Sequence, residues 1–465
     1  MLRTNAMQMK NQFPYNDRSM NKRLVILGGG ESGAGAALLA KKEGYDAVLM
    51  DEGSLKDGYR RELQEAGIAF REGAIDEALL LEADEVVKSP GIPDKNEWVK
   101  KVRAKGIPVI SEIELAYRHK GESRIIAITG SNGKSTTTSL IFHICRHAGM
   151  DCALVGNIGY SFARQVAQDP KALYVAEISS FQLDDIVDFR PDVAVLLNIT
   201  EDHLDRYDYQ FDNYVRSKFR IAMNQTSNDH FIYNMDDEVI TSYLERNKIN
   251  SNQLPISMKQ KVEKGGYIQE DELNVKANAE QQQMSIYDFA LKGKHNQYNT
   301  MAACVAGATM DIRKNKIREA VQTFENLEHR MESVATVRGV EFVNDSKATN
   351  VNSTWFALES MGKPTVLILG GIDKGNDYSL LQDLVAEKVK AIICMGTDNS
   401  KIHQAFDGKV ATIVDTASAT EAVNAAFQQA GVGDVVLLSP ACASFDLFKN
   451  YEDRGRQFKE AVKNL

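Results

Sequence analysis

Residues 129–136 read Thr-Gly-Ser-Asn-Gly-Lys-Ser-Thr, a set whose types and spacing suit phosphate chemistry. Glycines at 130 and 133 let the backbone approach an anion, and amide N–H groups at a helix start meet it with the positive end of the helix dipole. Lys134 adds a full positive charge, and the hydroxyl of Ser135 or Thr136 can ligate a magnesium ion that bridges phosphates. Gly130, Asn132, Gly133, Lys134, Ser135 and Thr136 are therefore the candidate nucleotide loop. The general pattern G-x-x-x-x-G-K-[ST] needs glycine at 128, where this chain has Ile128, so the loop is a shorter form. A glycine-rich turn with no ligand is the plain alternative.

Further polar clusters follow apolar runs. Glu177-Ile-Ser-Ser-Phe-Gln-Leu183 and Asn198-Ile-Thr-Glu-Asp-His-Leu-Asp205 each close one, as does Gly156-Asn-Ile-Gly159. Magnesium prefers oxygen ligands and keeps several waters, so Glu177 and Ser135 suffice for one ion. His203 is a less natural ligand for a hard ion and reads equally as a helix-start residue. Lys218, on a helix predicted over 211–224, is by itself a surface lysine. Asn296 and Asn299 sit one helical turn apart in Gly293-Lys-His-Asn-Gln-Tyr-Asn299 and could recognise adenine, although helix capping explains one of them. Gly28-Gly-Gly-Glu-Ser-Gly33, with Asp51 23 residues after Gly28, satisfies the dinucleotide fingerprint; the same geometry holds any diphosphate or serves tight strand–helix packing.

The elements that must position these residues are legible. Arg124–Thr129 is apolar and β-branched, as a buried parallel strand should be, and Leu140, Ile141, Ile144 and Cys145 recur at helical spacing after Lys134. Strands at 22–28, 46–51 and 108–110, a strand ending in a rigid loop within 85–93, and helices at 34–43 and 112–118 predict a first α/β unit over 21–120. Leu173–Ser179 and Asp192–Thr200 predict central strands of a second, 121–328, with a turn-rich β insertion at 250–290. Residues 327–331 read as a hinge into a third unit, 329–465, whose strands at 340–344, 365–370, 391–395, 411–414 and 435–439 alternate with helical stretches. Three of its strand ends carry polar sets: Asn344-Asp-Ser-Lys-Ala-Thr-Asn350, Gly370-Gly-Ile-Asp-Lys-Gly375 and Leu438-Ser-Pro-Ala-Cys-Ala-Ser-Phe445. The fold class is thus α/β with three units.

Composition narrows the function. A net charge of −9 over 465 residues offers no basic field for nucleic acid. Five cysteines with no C-x-x-C pair, mostly in apolar stretches, point to reduced thiols and a cytoplasmic protein. No apolar run reaches 18 residues, so no membrane helix is expected. Residues 1–20 are polar with no apolar signal core and read as a disordered leader.

From about Lys22 onward the chain resembles the ATP-dependent Mur ligases of cell-wall precursor synthesis. The short loop 129–136 is similar to that family's ATP loop, the Glu177 and Asn198–Arg206 segments to its magnesium site, and Gly293–Asn296 with His329-Arg330 to its adenine and hinge motifs. Within the family, Asn344–Asn350 and Leu438–Gly455 resemble the D-glutamate-adding branch. The resemblance implies three Rossmann-like or P-loop-type domains and ATP with two magnesium ions. It implies D-glutamate and UDP-N-acetylmuramoyl-L-alanine as substrates of a monomer, joined through an acyl phosphate. It also implies roles. Lys134, Ser135, Asn296, Asn299, Arg330 and Asp345 would hold ATP, and Glu177, His203 and a carbamylated Lys218 would serve magnesium. Gly28, Gly29, Ser32, Gly33, Asp51, Ser89 and Gly91 would take the UDP moiety and Asn157 the muramoyl group. Arg330, Thr349, Lys374, Ser444, Phe445 and Tyr451 would bind D-glutamate, with Lys347 bridging phosphate chemistry across the cleft. Two other classes compete: a dinucleotide-dependent oxidoreductase built on Gly28–Gly33 and Asp51, and a non-catalytic nucleotide-binding module.

Overall fold

The computed structural model describes residues 22–277, 281–325 and 328–465. The expected leader at 1–20 and position 327 of the expected hinge lie outside the described residues.

Each unit is built on its own sheet. In the first, five parallel strands run in the order Ala69–Glu72, Asp46–Asp51, Arg23–Leu27, Glu85–Lys88, Val109–Ser111. Arg23–Leu27 lies in the middle and buries its last four side chains, which is why its sequence is a continuous apolar run. The strand at 69–72 was not foreseen: its Ala-Phe-Arg-Glu is mostly exposed at a sheet edge and carries little apolar signal.

The central sheet has nine strands, and Arg124–Thr129 lies between Leu173–Glu177 and Val193–Leu196. That order decides the site. The loop after 129 is flanked on one side by Glu177 and on the other by the Asn198 segment, at the carboxyl ends of parallel strands. The turn-rich stretch after 250 joins this sheet as its outer edge. Asn252–Ser257 and Gly265–Gln269 continue the parallel pairing, and Glu272–Lys276 and Gln282–Ser285 turn antiparallel.

The helix Lys134–His147 buries Leu140, Ile141, Ile144 and Cys145 under this sheet. Each such aliphatic side chain contributes about 1.5–3 kcal/mol of burial. Against it lies Lys294–Thr309, a helix buried almost all round. Its small residues permit the approach: a Cβ on Gly307 would stand 3.1 Å from Ile144 and 3.2 Å from Ile317.

The third sheet runs Glu332–Val337, Val340–Asn344, Val435–Leu438, Thr365–Leu369, Val389–Met395, Thr412–Thr416, parallel except for its first strand. That antiparallel edge escaped the sequence reading because Glu-Ser-Val-Ala-Thr-Val is only half-buried. Insertion of 435–438 between 340–344 and 365–369 brings the three polar strand ends into one cluster.

The first unit is clamped to the second. Lys88 Nζ lies 2.9 Å from Asp185 Oδ2 with both side chains 2% exposed, and Arg103 reaches the same carboxylate at 2.6 Å. The buried Glu114 carboxylate accepts the backbone N–H groups of Val187, Asp188 and Phe189. Arg164 pairs with Glu31 and Glu62 of the first unit.

Candidate active site

The phosphate loop is pinned by the Asn198–Thr200 segment. Asn132 N–H donates to Asn198 Oδ1 at 2.8 Å, and Asn198 Nδ2 returns a bond to the Asn132 carbonyl at 3.0 Å. Ser131 N–H donates to the Asn198 carbonyl, and the Ser131 hydroxyl to that of Thr200. Gly133 caps the helix at φ +81, a conformation an L side chain rarely adopts. A Cβ there would lie 2.4 Å from Asn299 Oδ1, so glycine at 133 and Asn299 pack as one feature. Asn299 Nδ2 donates to Asn296 Oδ1 at 3.1 Å, and Asn296 Nδ2 to the Lys292 carbonyl at 2.8 Å.

Two lysines share one acceptor. Lys134 Nζ donates to the Gly130 carbonyl at 2.8 Å and also to that of Ser131. Lys218, 1% exposed, donates to the same Gly130 carbonyl at 2.8 Å from over the Tyr214 ring. Desolvation lowers both ammonium groups, and for Lys218, which the Lys134 charge further disfavours, the fall is well below the ordinary lysine value. A buried lysine whose pKa is lowered by desolvation is what the helix at 211–219 presents, not the surface lysine that its spacing alone suggests.

Glu177 is 1% exposed. Its Oε1 accepts from Asn157 Nδ2 at 2.8 Å, while its Oε2 is buried with no hydrogen-bond partner. An orphaned carboxylate oxygen beside a phosphate loop fits a hard cation, because a buried charge left unpaired is costly. Asn157 therefore orients this carboxylate. His203 takes a left-handed backbone at φ +54, sets its ring against Phe181 at 5.1 Å and has Nε2 3.6 Å from Asp202. Burial lowers its pKa, with Asp202 opposing and the Lys134, Lys374 and Lys218 charges adding to the fall.

The third unit closes over the loop. Lys347 Nζ donates to Ser135 Oγ at 3.0 Å, and Ser353 Oγ to Asn132 Oδ1 at 3.2 Å. Burial, aided by the Arg330 charge, pushes Lys347 down to about 8. Asp345 accepts from Ser439 Oγ at 2.9 Å and from Met331 N–H, and burial pushes it up to about 7 against the pull of Arg330. Between the two units lies a cavity of about 410 Å³, lined among others by Gly133, Thr136, Asn296, Asn299, Arg330, Asp345 and Lys347. Tyr298, Trp355 and Phe356 also line it and were not foreseen. Aromatic residues in helices carry no sequence mark separating a cavity wall from core.

In the first unit, Gly28, Gly29, Gly33, Asp51 and Ser89 come together. Gly29 N–H donates to Asp51 Oδ2 at 2.6 Å and Gly53 N–H to Oδ1 at 2.7 Å, so both oxygens of this acid already hold loop amides. Ser89 Oγ donates to the Gly28 carbonyl, and a Cβ on Gly33 would meet that carbonyl at 1.8 Å. Ser32 is half-buried in the first turn of the following helix. The Pro90, Gly91 and Ile92 carbonyls accept from Arg206 of the central unit. Arg206 had been read only as part of the magnesium segment.

The expected D-glutamate set is looser. Tyr451 lies 5.6 Å from Lys347 Nζ measured to its ring, and burial raises its phenol. Lys374 is exposed and bears on His203 electrostatically, Ser444 is buried, Thr349 is half-buried, and Phe445 is 69% exposed. Sequence reasoning missed Arg454. Fully buried, it donates to the Ser346 hydroxyl and carbonyl and to the Cys442 carbonyl at 2.8–3.2 Å, tying two of the polar strand ends together.

This geometry defines a class: a three-sheet α/β protein with a phosphate-type loop at the carboxyl end of the central sheet and a third unit packed against it. Comparison narrows the class. The chain matches the family descriptions "Mur ligase MurD-like, N-terminal domain" over 22–111, "Mur ligase middle domain" over 128–307 and "Mur ligase, glutamate ligase domain" over 329–442. It is 53% identical over 446 residues to a UDP-N-acetylmuramoylalanine–D-glutamate ligase of Christiangramia forsetii, covering 96% of this chain and all of that one. It is 50% identical to proteins of the same name from Cytophaga hutchinsonii and Bacteroides fragilis, again over 96% of this chain and all of theirs. The chain belongs to the Mur ligase family. Among solved structures, the UDP-N-acetylmuramate-alanine ligase MurC of Thermotoga maritima shares the fold with TM-score 0.61 at 16% identity, covering 95% of this chain and 99% of that one. MurF ligase of Thermotoga maritima in complex with ADP does so with TM-score 0.57 at 13% identity, over 97% of each. The dinucleotide oxidoreductase reading is set aside by these matches.

No helix among the described residues is long and apolar enough to cross a membrane, and the five cysteines are buried and unpaired.

Proposed function

We propose that the protein joins D-glutamate to UDP-N-acetylmuramoyl-L-alanine, with ATP converted to ADP and phosphate. The carrying observation is the Lys347–Ser135 contact across the cleft, which sets the third unit's Asn344–Asn350 segment on the phosphate loop of a chain aligned over 96% of its length with ligases of that name.

In this reading the alanyl carboxylate attacks the γ-phosphorus, forming an acyl phosphate and releasing ADP. The D-glutamate amine then attacks the acyl carbon, the tetrahedral intermediate expels phosphate, and the amine proton leaves to solvent or a basic group. Lys134, held on the loop carbonyls, and Lys347, held on Ser135, oppose the charge that builds on the transferring phosphoryl. Asn296 and Asn299 face the base, and Asp345 and Arg330 complete the cavity that holds ATP. Glu177 and Ser135, with His203 nearby, would hold magnesium, which supplies charge neutralisation of the phosphates. Lys218, whose lowered pKa favours the amine form, would add to CO2 and lose a proton to solvent, giving a carbamate that places an anionic oxygen beside Lys134. The Gly28–Gly33 loop with Ser89 receives the UDP moiety at a helix start. Thr349, Lys374, Ser444, Phe445 and Tyr451 receive D-glutamate. Closure of the third unit keeps water from the acyl phosphate.

Phosphate release measured with UDP-N-acetylmuramoyl-L-alanine while amino acids are scanned tests this. Turnover is expected with D-glutamate and not with L-glutamate, lysine or diaminopimelate. Strong phosphate release without the UDP-sugar acceptor would overturn it.

A further inference from the structure

We propose that Cys394, His403 and Asp415 form a binding site for one zinc-class divalent cation in the third unit, separate from the phosphate loop. Cys394 and Asp415 are direct partners on the adjacent parallel strands Val389–Met395 and Thr412–Thr416, so their side chains rise on the same face of the sheet. The crossover between these strands contains the helix Ser400–Phe406, which packs Ile402 and Phe406 into the core on that face and brings His403 over the pair. The thiol, the imidazole nitrogen and a carboxylate oxygen all lie within 4.8 Å of one another. His403 Nε2 is 3.0 Å from Asp415 Oδ2 and 3.1 Å from Oδ1, and Cys394 hydrogen-bonds the same carboxylate.

The donor chemistry selects the metal. Thiolate, imidazole and carboxylate together suit zinc and its transition-metal neighbours, whereas magnesium prefers oxygen alone. Bonds of about 2.0–2.3 Å to a tetrahedral ion place donors roughly 3.3–3.8 Å apart. His403 Nε2 and Asp415 Oδ2, 3.0 Å apart, therefore separate by a few tenths of an ångström, and the thiol, within 4.8 Å of both, has at most about 1–1.5 Å to close. Asn399 Nδ2 donates to Asp415 Oδ1 at 2.9 Å and orients the carboxylate from behind. His403 and Asp415 are 40% and 57% exposed, which leaves an entry path and a fourth position for water. Binding releases the thiol proton to solvent; the Nε2 proton that His403 gives to Asp415 is lost to solvent as Nε2 takes the metal, and Nδ1 takes up a proton in exchange. Of the two groups of potential metal ligands among the described residues, this one alone contains a thiol. The other, Glu328, His329 and Glu332, is already bridged by Lys459. The helix that carries His403 also carries Lys401, whose Nζ lies 2.6 Å from Asp373 Oδ1 beside Lys374, so a cation here would fasten the loop at 370–375 through that helix.

The test is cobalt titration of the full-length protein, read as the thiolate-to-cobalt charge-transfer band in the near ultraviolet. A saturable band at one equivalent is expected, bleached by zinc and absent in Cys394→Ser. His403→Ala and Asp415→Asn, both exposed positions, should retain the native circular dichroism and bind at least about tenfold more weakly. Absence of the band at about millimolar cobalt, its survival in Cys394→Ser, or unchanged affinity in both other variants would show an ion pair beside a core thiol and overturn the proposal.

Discussion

Gly133→Ala tests the phosphate loop with a magnitude that can be worked from its geometry. The residue holds φ +81, where a Cβ costs about 1–2 kcal/mol. The new methyl would stand 2.4 Å from Asn299 Oδ1, so the amide must swing away and lose its 3.1 Å bond to Asn296, a further loss of about 0.5–1.5 kcal/mol. The total of about 1.5–3.5 kcal/mol leaves the protein folded within an ordinary margin of about 5–15 kcal/mol. Activity should suffer more, because loop and amide are displaced by about an ångström at once, a misplacement worth roughly 100-fold in turnover. Urea unfolding followed by circular dichroism gives the first number and phosphate release the second. In an Asn299→Ala background the clash is gone, and Gly133→Ala should then cost only the backbone share. Gly30→Ala is the control, since Gly30 has φ −79 and nothing within 4 Å of a Cβ; it should be near neutral in stability. Turnover of Gly133→Ala within about twofold of wild type, or an equal stability cost with and without Asn299, would refute the packing argument; the thresholds follow from the same estimates.

Lys218→Ala should be nearly inactive yet partly rescued by acetate, whose carboxylate replaces the missing carbamate; wild-type turnover of the variant would remove the carbamate. Lys347, held down to about 8, should give kcat/KM for ATP an alkaline limb near that pH as its charge is lost, and Lys347→Arg should move the limb upward; an unmoved limb would assign it elsewhere. Glu112 is buried, accepts a bond from Ala163 N–H, and is pushed up to about 8 by desolvation. Its folded state therefore favours the proton, so its contribution to stability is full below the ordinary carboxylate value and falls as pH rises toward 8, by at most about 1.4 kcal/mol per unit. Glu112→Gln should flatten that part of the stability–pH curve, and an unchanged slope would contradict the shift.

Much of the positioning was legible because parallel strands buried on both faces leave continuous apolar runs. Arg124–Thr129, Asp46–Asp51 and Val340–Asn344 read from sequence with the ends the structure gives them. The edge strands Ala69–Glu72 and Glu332–Val337 did not, because half-exposed strands carry no such run. The phosphate loop was legible for a related reason: its function lies in backbone amides, glycine freedom and one adjacent cation, all local in sequence. Lys218 was not, since burial sets its chemistry, and burial depends on Tyr214, Lys134 and the Gly130 carbonyl closing around it. Arg454 was hidden in the same way.

The sequence alone therefore determined the buried central strands, the anion-binding loop and the family. The tertiary structure alone decided which distant groups meet. Strand order set Glu177 and Asn198 on either side of the loop, and domain packing set Lys347 on Ser135 across 212 residues of chain. Those distances, and the low polarity that lowers the Lys218 pKa, are properties of enclosed space, which a one-dimensional pattern does not encode.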